Sequence, residues 1–438
     1  MSPKEFQRRR RQLMRMVGKG AIVLIPSAPL LKRNRDVEYP FRQDSDFYYL
    51  TGFNEPEALL VLVPGREQGE YLLFCREYDA QKSVWTGHHA GLDGARAQFG
   101  ADDAFPITDL DDIIPGLLEN RERVYYPMDR VGELHGRLLE WVQQLRGKAR
   151  SGISAPGELV AVEHLLHDMR LFKSAAEIGA IRKAAEISVK AHLRVMRACR
   201  PGMHEYQLEA ELLHEFTMHG MRSPGYPCIV AGGSNACVLH YTDNSAALKD
   251  GDLVLIDAGA EHHNYAADIS RTFPVNGRFS AAQRDVYELV LEAQAAAIAK
   301  IKPGNHWIDP HDEAVQVLTK GMVKLGLLKG KVSKLIKDEK YKQFYMHRTG
   351  HWLGMDVHDV GDYKVGEAWR MFEPGMVLTV EPGLYIRPDS KKVDKRWHGI
   401  GIRIEDDVLV TKDGCEVLTR AAPKSVEDIE SLMQEKSP

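Results

Sequence analysis

Apolar residues recur along this chain with two different periods, and their alternation predicts an α/β fold. In the first third, short apolar runs typical of strands occupy Ala21–Ile25, Phe47–Leu50, Ala58–Val63, Tyr71–Cys75 and Arg123–Tyr126. Helical spacing is found at 4–17, 93–99, 109–119 and 129–145. We therefore expect an N-terminal α/β domain.

A break in this pattern over residues 147–175 predicts a domain boundary. Glycine and proline residues interrupt the periodicity there, and a helical stretch over 158–170 follows. A long helix pattern then begins at Ala175. We assign residues 1–173 to the N-terminal domain and residues 174–438 to a second domain.

The second domain contains the same pattern twice. In each copy a helix ends in a basic residue, Pro, Gly, a variable residue and His, at Arg200–His204 and at Lys302–His306. The helices predicted around these motifs are 175–199, 204–219, 281–301 and 310–327. Each copy precedes an apolar strand that begins after glycine and ends in an acid, at Gly251–Asp257 and Gly375–Glu381. This repetition predicts one domain of two similar α/β halves related by a pseudo-twofold axis.

Four carboxylates at the ends of predicted strands are the candidate chemistry. Asp257 ends a buried strand, and an unpaired buried carboxylate is very costly, so it needs a cation. A second strand in each half adds Asp268 and Glu405, and the repeat supplies Glu381. Four carboxylates in one pocket repel one another, and two divalent cations would balance their charge. The arithmetic favours a dinuclear site.

Histidines supply the remaining ligand. His347, His351 and His358 lie in the segment 346–359, which has two glycines and is predicted to be strand and turn; His240 is a fourth candidate. One histidine with four carboxylates suits Mn²⁺, or Co²⁺ or Fe²⁺. Two such ions would acidify a shared water and make a hydroxide nucleophile, so hydrolysis is the predicted reaction class. A Gly-rich phosphate loop, a GxSxG elbow and a HExxH motif are absent from the sequence.

Net charge and cysteine usage limit the expected binding partners and the expected cellular compartment. The 438 residues carry a net charge of −4, which gives no electrostatic case for nucleic acid or membrane binding. The basic run Arg8–Arg11 is interpreted as a solvated helix face. Five scattered cysteines without a CxxC pair indicate a reducing compartment, and no signal peptide or apolar run of ~18 residues is present. A cytoplasmic location is expected.

Two N-terminal features have open interpretations. The stretch Arg42–Gly52 packs polar residues against aromatic ones, and we interpret it as an N-cap or turn leading into a strand. Trp85 lies in a predicted loop with Gly87. An exposed tryptophan there would indicate an interface or a substrate wall, and a buried one would anchor the loop.

Motifs along nearly the whole chain resemble one family. They are Tyr39–Phe53, Leu255–Gly259, Asp268, His351–Gly354, Thr379–Gly383 and Gly401–Glu405. Together they resemble the metal-dependent Xaa-Pro aminopeptidases (aminopeptidase P) of the pita-bread metallopeptidases. The resemblance implies a creatinase-like N-terminal α/β domain, a pita-bread catalytic domain and release of an N-terminal residue that precedes proline, by a metal-bridging hydroxide.

The resemblance also implies the residue roles. Asp257 would chelate one metal ion, His351 and Glu381 would bind the other, and Asp268 and Glu405 would bridge both. The catalytic set that it implies is His240, His347 and His358, which line the pocket, position substrate and stabilise the tetrahedral intermediate, with Glu381 and the supporting Arg403. Two Mn²⁺ ions are the expected cofactors.

Other functions compete with this one. A prolidase, which cuts only Xaa-Pro dipeptides, shares the ligands but often has a longer insertion between the positions of Glu381 and Glu405. Creatinase-like and methionine-aminopeptidase-like enzymes fit less well. A non-enzymatic binding module on the same fold would have lost ligands. The resemblance further implies a homotetramer in which a loop like that at Trp85 reaches a neighbour's site.

Overall fold

The computed structural model describes residues 1–129 and 132–435. The chain forms two compact units, Met1–Met169 and Arg170–Pro438. Within the described ranges, every helix is too short or too polar to span a bilayer. The domain assignment 1–173 and 174–438 stays a prediction.

A six-stranded sheet organises the first unit. The strands of this unit are β1 (Ala21–Pro26), β2 (Lys32–Asn34), β3 (Val37–Glu38), β4 (Leu59–Leu62), β5 (Tyr71–Cys75), β6 (Asp103–Pro106), β7 (Arg123–Tyr126) and β8 (Glu158–Ala161). The sheet order is β6-β5-β4-β1-β7-β8, with β4 antiparallel to both neighbours and the other pairs parallel. The strands β2 and β3 form a separate hairpin.

The first unit also contains helices, and two of them bury apolar residues of the sheet. The helices are α1 (Pro3–Val17), α2 (Ser45–Thr51), α3 (Ala80–Thr86), α4 (Gly91–Ala97), α5 (Leu110–Leu118), α6 (Glu133–Gly147) and α7 (Glu163–Leu171). In the core, Ile22 and Phe74 of the sheet join Ile114 of α5 and Leu138 of α6. The predicted α/β architecture is confirmed, but residues 158–170 form a strand and then a helix rather than one helix.

Two N-terminal interpretations need correction. Asp44 does cap an element, accepting from the amide of Phe47 at 2.8 Å, but that element is the helix α2 and not a strand. Every residue of α2 is buried, so its apolar run shows no helical period. Trp85 lies in the helix α3 with 88% of its surface exposed, so the buried-anchor interpretation is wrong.

The basic run at the N-terminus is not simply a solvated face. Arg9 and Arg10 are buried, and their guanidinium groups donate to the carbonyl oxygens of Tyr49 and Leu50 at 2.9 and 2.8 Å. The Arg9 guanidinium also lies 4.0 Å from the ring centroid of Tyr49. Because charge patterning does not show which arginines have carbonyl acceptors, the sequence could not separate these two from their neighbours.

The second unit contains the two predicted halves. Its helices are α8 (Ala175–Ala198), α9 (Glu205–Met218), α10 (Ala281–Ile298), α11 (Asp309–Lys324), α12 (Val332–Lys337) and α13 (Val426–Gln434). Its strands are β9 (Ile229–Gly232), β10 (Leu253–Asp257), β11 (Glu261–His262), β12 (Tyr265–Ala266), β13 (Ser270–Pro274), β14 (Lys364–Val365), β15 (Ala368–Trp369), β16 (Val377–Val380), β17 (Gly383–Ile386), β18 (Ile400–Arg403), β19 (Asp406–Val410) and β20 (Cys415–Val417). A sheet of order β13-β10-β9 belongs to the first half, and one of order β16-β19-β20, with the pair β17-β18, belongs to the second.

Two predicted strands are interrupted at the candidate ligands. Asp268 lies between β12 and β13, and Glu405 lies between β18 and β19. The segment 346–359 has no strand and pairs with β16 through a single bridge, between Trp352 and Leu378. β18 pairs with β17 and β19 pairs with β16, so Glu405 lies where the chain passes from one strand pair to another.

Candidate metal centre

Asp257 and Asp268 enter the site from neighbouring strands of the first half. Asp257 ends β10 and pairs in register with Ser270 of β13. The hydroxyl oxygen of Tyr226 lies 2.7 Å from Asp257 Oδ1 and 2.5 Å from Asp268 Oδ1. The backbone amide of Asp268 donates to both carboxylate oxygens of Asp407 at 3.2 Å. These contacts hold the two aspartates side by side.

The second half contributes Glu405 and Glu381. The hydroxyl of Ser270 donates to Glu405 Oε2 at 2.7 Å, and the amide of Glu405 donates to the carbonyl of Ser270 at 3.0 Å. These two hydrogen bonds hold Glu405, which follows β18, against Ser270 of the first half. Glu381 follows β16, where its amide donates to the carbonyl of Thr349 at 2.8 Å.

His351 lies between these carboxylates. Its Nε2 is 3.4 Å from Asp268 Oδ2 and 3.7 Å from Glu381 Oε1. Its Nδ1 lies 2.9 Å from the carbonyl oxygen of Trp352, so Nδ1 carries the hydrogen and Nε2 is left to bind a metal. Asp268, His351 and Glu405 each offer one possible ligand atom, and these three atoms lie within 4.8 Å of one another.

Charge repulsion in this buried pocket is evident in the pKa values. Burial, followed by the charge of Asp268, raises the pKa of Glu405 well above its usual range. Burial and the charge of Asp257 raise the pKa of Asp268, and burial raises the pKa of Glu381 to about 7. Burial alone would lower the pKa of His351, but the hydrogen bond with Asp268 and nearby carboxylates raise it to about 9. The residues therefore fit divalent cations, because added positive charge removes this conflict.

Arg403 and Tyr385 support the carboxylates. Arg403 Nη2 lies 2.6 Å from Asp257 Oδ2, and its Nε donates to the hydroxyl of Ser270 at 2.8 Å. Its Nη1 donates to the hydroxyl of Tyr385 at 3.2 Å. That hydroxyl lies 2.9 Å from Nε2 of His347, so one chain of contacts runs from Asp257 to a pocket histidine.

The three histidines that are predicted to line the pocket have different surroundings. His347 is half-buried with Nδ1 2.7 Å from the carbonyl of Arg348, and burial lowers its pKa to about 3. The ring of His358 lies edge-on to that of His351, with centroids 4.2 Å apart. Burial, with the charges of His351 and His240, lowers the pKa of His358. His240 is exposed in the loop between β9 and β10.

Comparison with known proteins then decides the family. Residues 179–412 match the model of metallopeptidase family M24, and residues 6–125 match the aminopeptidase P N-terminal domain. A curated Xaa-Pro aminopeptidase of Escherichia coli is 46% identical over 99% of this chain and 98% of its own length. The chain belongs to the Xaa-Pro aminopeptidases of metallopeptidase family M24. Its pita-bread fold and metallopeptidase class are thereby confirmed.

Solved structures agree with this assignment. The aminopeptidase PepP of Pseudomonas aeruginosa is 58% identical with a TM-score of 0.98, over 99% of this chain and 98% of that one. A zinc-substituted aminopeptidase P of Escherichia coli in complex with product is 46% identical with a TM-score of 0.96, over 99% and 98% of the two chains. The likeness covers both units.

Some residues of the centre were missed by the sequence analysis. The hydroxyl groups of Tyr226 and Ser270 contact the carboxylates, and that of Tyr385 contacts Arg403, but their local sequence gives no signal of it. Asp407 had a usable signal, because it lies two residues from Glu405. Burial, followed by the charge of Asp268, raises its pKa well above the usual range.

Proposed function

We propose that this chain releases the first residue from peptides that have proline second, by metal-dependent hydrolysis. The observation that carries the proposal is the buried group of Asp268, His351 and Glu405, which joins both halves of the second unit. Relatives of nearly equal length are named Xaa-Pro aminopeptidases, which supports the specificity.

The proposed cofactors are two divalent ions, with Mn²⁺ as the metal used. Five residues would hold them, namely Asp257, Asp268, His351, Glu381 and Glu405. This oxygen-rich set favours Mn²⁺ over a thiolate-type zinc site. The bound ions would supply Lewis acidity and lower the pKa of a water that attacks the peptide bond.

The chain's own residues would move protons and orient the peptide. Glu381, whose amide donates to the carbonyl of Thr349 at 2.8 Å, would be the carboxylate that takes and returns a proton at the site. Neutral His347 and the two imidazoles of His240 and His358 would line the pocket and stabilise the tetrahedral intermediate. Arg403 would keep Asp257 oriented, because it contacts that carboxylate at 2.6 Å.

A prolidase would use the same ligands, so substrate length is the test. We expect Mn²⁺-stimulated release of arginine from Arg-Pro-Pro and from longer peptides, measured by chromatography of the products. A matched peptide with alanine second should be cut far more slowly. Cleavage of Xaa-Pro dipeptides only would refute the proposal in favour of a prolidase.

The proposed assembly is a homotetramer in which α3 contacts a second copy. No residue of α3 is buried, and Val84 and Trp85 are 82% and 88% exposed. Large exposed apolar side chains that are adjacent mark interaction surfaces. Sedimentation should give four chains for the wild type and a smaller mass for Trp85→Ala. An unchanged mass would contradict this contact.

The proposed compartment is the cytoplasm. All five cysteines are free, and Cys75, Cys199 and Cys228 are buried. Free thiols without a disulfide framework are typical of a reducing compartment. Fractionation of cells that express the tagged chain should recover it with cytoplasmic markers.

A further inference from the structure

Glu205 is a fully buried carboxylate to which the proposed chemistry assigns no role. It begins α9, directly after the His204 of the repeated helix motif. Four neutral donors surround it in place of a cation. The donors are the Gly232 amide at 2.7 Å, the Asn235 side-chain amide at 2.9 Å, the Tyr241 hydroxyl at 2.8 Å and the Ala246 amide at 2.8 Å.

These donors come from both ends of one loop. Oε1 accepts from Gly232 at the end of β9 and from Asn235 just beyond it. Oε2 accepts from Tyr241 and Ala246, on the part of the loop that returns towards β10. The single carboxylate therefore joins the outgoing and returning parts of the segment 232–246.

His240 lies in this loop, immediately before Tyr241. Its side chain is exposed, and in the described part of the chain no hydrogen bond holds its imidazole. Leu239 and Tyr241, on either side of His240, pack against the cluster that contains Tyr385, and the Tyr385 hydroxyl lies 2.9 Å from Nε2 of His347. The loop backbone therefore holds His240 beside the histidines of the candidate site.

We propose that Glu205 is a positioning residue for His240, which it keeps in the substrate pocket by joining the two ends of the loop 232–246. The inference rests on the proposed function, because it requires His240 to act on the peptide. Glu205 itself contacts neither the carboxylate cluster nor the pocket histidines among the described residues.

The negative charge of Glu205 is what the four donors require. Each of its oxygens accepts from one backbone amide and one side chain. In Glu205→Gln, the new amide group must face either the Gly232 or the Ala246 amide. Two N–H groups then oppose each other, and neither backbone amide can reverse its polarity. The substitution should free one end of the loop at nearly constant volume.

A double-mutant cycle tests whether Glu205 acts through His240. We expect Glu205→Gln to lower kcat/KM for Arg-Pro-Pro about 10- to 100-fold with unchanged metal content. In the His240→Ala background the same change should have little further effect, because its target is gone. Equal losses in both backgrounds would overturn the proposal. Tyr241→Phe, a milder loss of one donor, should follow the same pattern with a smaller effect.

Hydrogen exchange gives a readout that needs no substrate. Amides of 232–246 should exchange faster in Glu205→Gln than in the wild type, while those of β16 and β19 stay unchanged. Glu211 lies on the same helix as Glu205 and forms a surface ion pair with Arg194 of α8. The control Glu211→Gln breaks this pair and should alter neither the loop nor kcat/KM. Unchanged exchange over 232–246 would overturn the proposal. A wild type that fails to cut Xaa-Pro peptides would instead refute the proposed function, and exchange would still test the loop.

Discussion

The two halves of the second unit share a backbone plan but differ at the positions that matter for chemistry. Asp257 ends β10, and Glu381 directly follows the matching strand β16. Three residues before each acid, Val254 pairs with Gly232 and Leu378 pairs with Trp352. Gly232 and Trp352 are therefore equivalent positions.

This equivalence explains why only one half supplies an imidazole. His351 precedes Trp352, and the equivalent residue of the first half is Ala231, which precedes Gly232 and is fully buried. The second half also supplies Arg403, which reaches across from β18 to Asp257 of the first half. A duplicated scaffold thus carries an asymmetric set of candidate ligands.

The same comparison extends to the helix motif. Glu205 and Trp307 both follow the motif's histidine. The Glu205 carboxylate accepts from the amide of Gly232, whereas the Trp307 ring packs 4.3 Å from the ring of Trp352. The first half holds the segment that pairs with its acid-bearing strand by hydrogen bonds, and the second half does so by aromatic packing. The same backbone arrangement is compatible with both kinds of contact.

The largest expected effect is at Asp268, where the two halves meet. Asp268→Ala should abolish metal binding and lower kcat/KM by on the order of 10³-fold, because it leaves Glu405 and His351 without their shared partner. Metal content by mass spectrometry and peptide assay check this. Asp285→Ala, at an exposed site on α10, is the control. Full metal content and activity in Asp268→Ala would contradict the site assignment.

Metal removal should expose the repulsion between the halves. In the metal-free protein the pKa of Glu381 is raised to about 7, so between about pH 4.5 and 7 the folded state binds this proton more tightly than the unfolded chain. Unfolding then releases a proton and becomes easier as pH rises, by roughly 3 kcal/mol in total. His351, whose pKa is raised to about 9, has the same sign at higher pH.

Calorimetry can measure this difference. The melting temperature of the chelated protein should fall further below that of the Mn²⁺-loaded protein at about pH 8 than at about pH 5. Groups far from the site affect both forms equally, so each form is the other's control. A gap between the two forms that narrows with rising pH would contradict the assignment.

A smaller effect is expected where the second half supports the first. Arg403→Lys keeps the charge but cannot contact Asp257, Ser270 and Tyr385 together, since lysine has one ammonium group. We expect kcat/KM to fall about 10- to 100-fold with both ions retained at high Mn²⁺. Arg278→Lys, on the surface after β13, is the control. Equal activity of the two variants would show that the charge alone suffices.

The smallest effect is expected at Trp307. Trp307→Phe should lower the free energy of unfolding by about 1 kcal/mol through lost ring contacts with Trp352 and Tyr363. Its kcat/KM should stay near wild type, unlike that of Glu205→Gln. Chemical denaturation measures the change, with Trp369→Phe on the β14-β15 hairpin as the matched control. If Trp307→Phe lowered activity but not stability, Trp307 would position the site as Glu205 is proposed to do, and the contrast between the two halves would be wrong.

The candidate ligands were easier to single out from the sequence than their structural setting. Asp257 and Glu381 follow apolar strands, and that local pattern was sufficient to make them candidates. The interruptions at Asp268 and Glu405 were not foreseen, because they depend on contacts such as that with Ser270, 135 residues away from Glu405. The burial of Arg9 was not predicted for the same reason, since its acceptor at Tyr49 lies 40 residues away. Contacts between residues so far apart in the chain do not affect the local hydrophobic periodicity.

The bond between Ser270 and Glu405 has a consequence for folding. It closes a segment of 135 residues, and contacts of such long range form late because much chain entropy must be lost first. Neither half alone contains the group of Asp268, His351 and Glu405. A nascent or truncated chain in which Glu405 has not folded against the first half therefore lacks the complete group that is proposed to hold the metal ions.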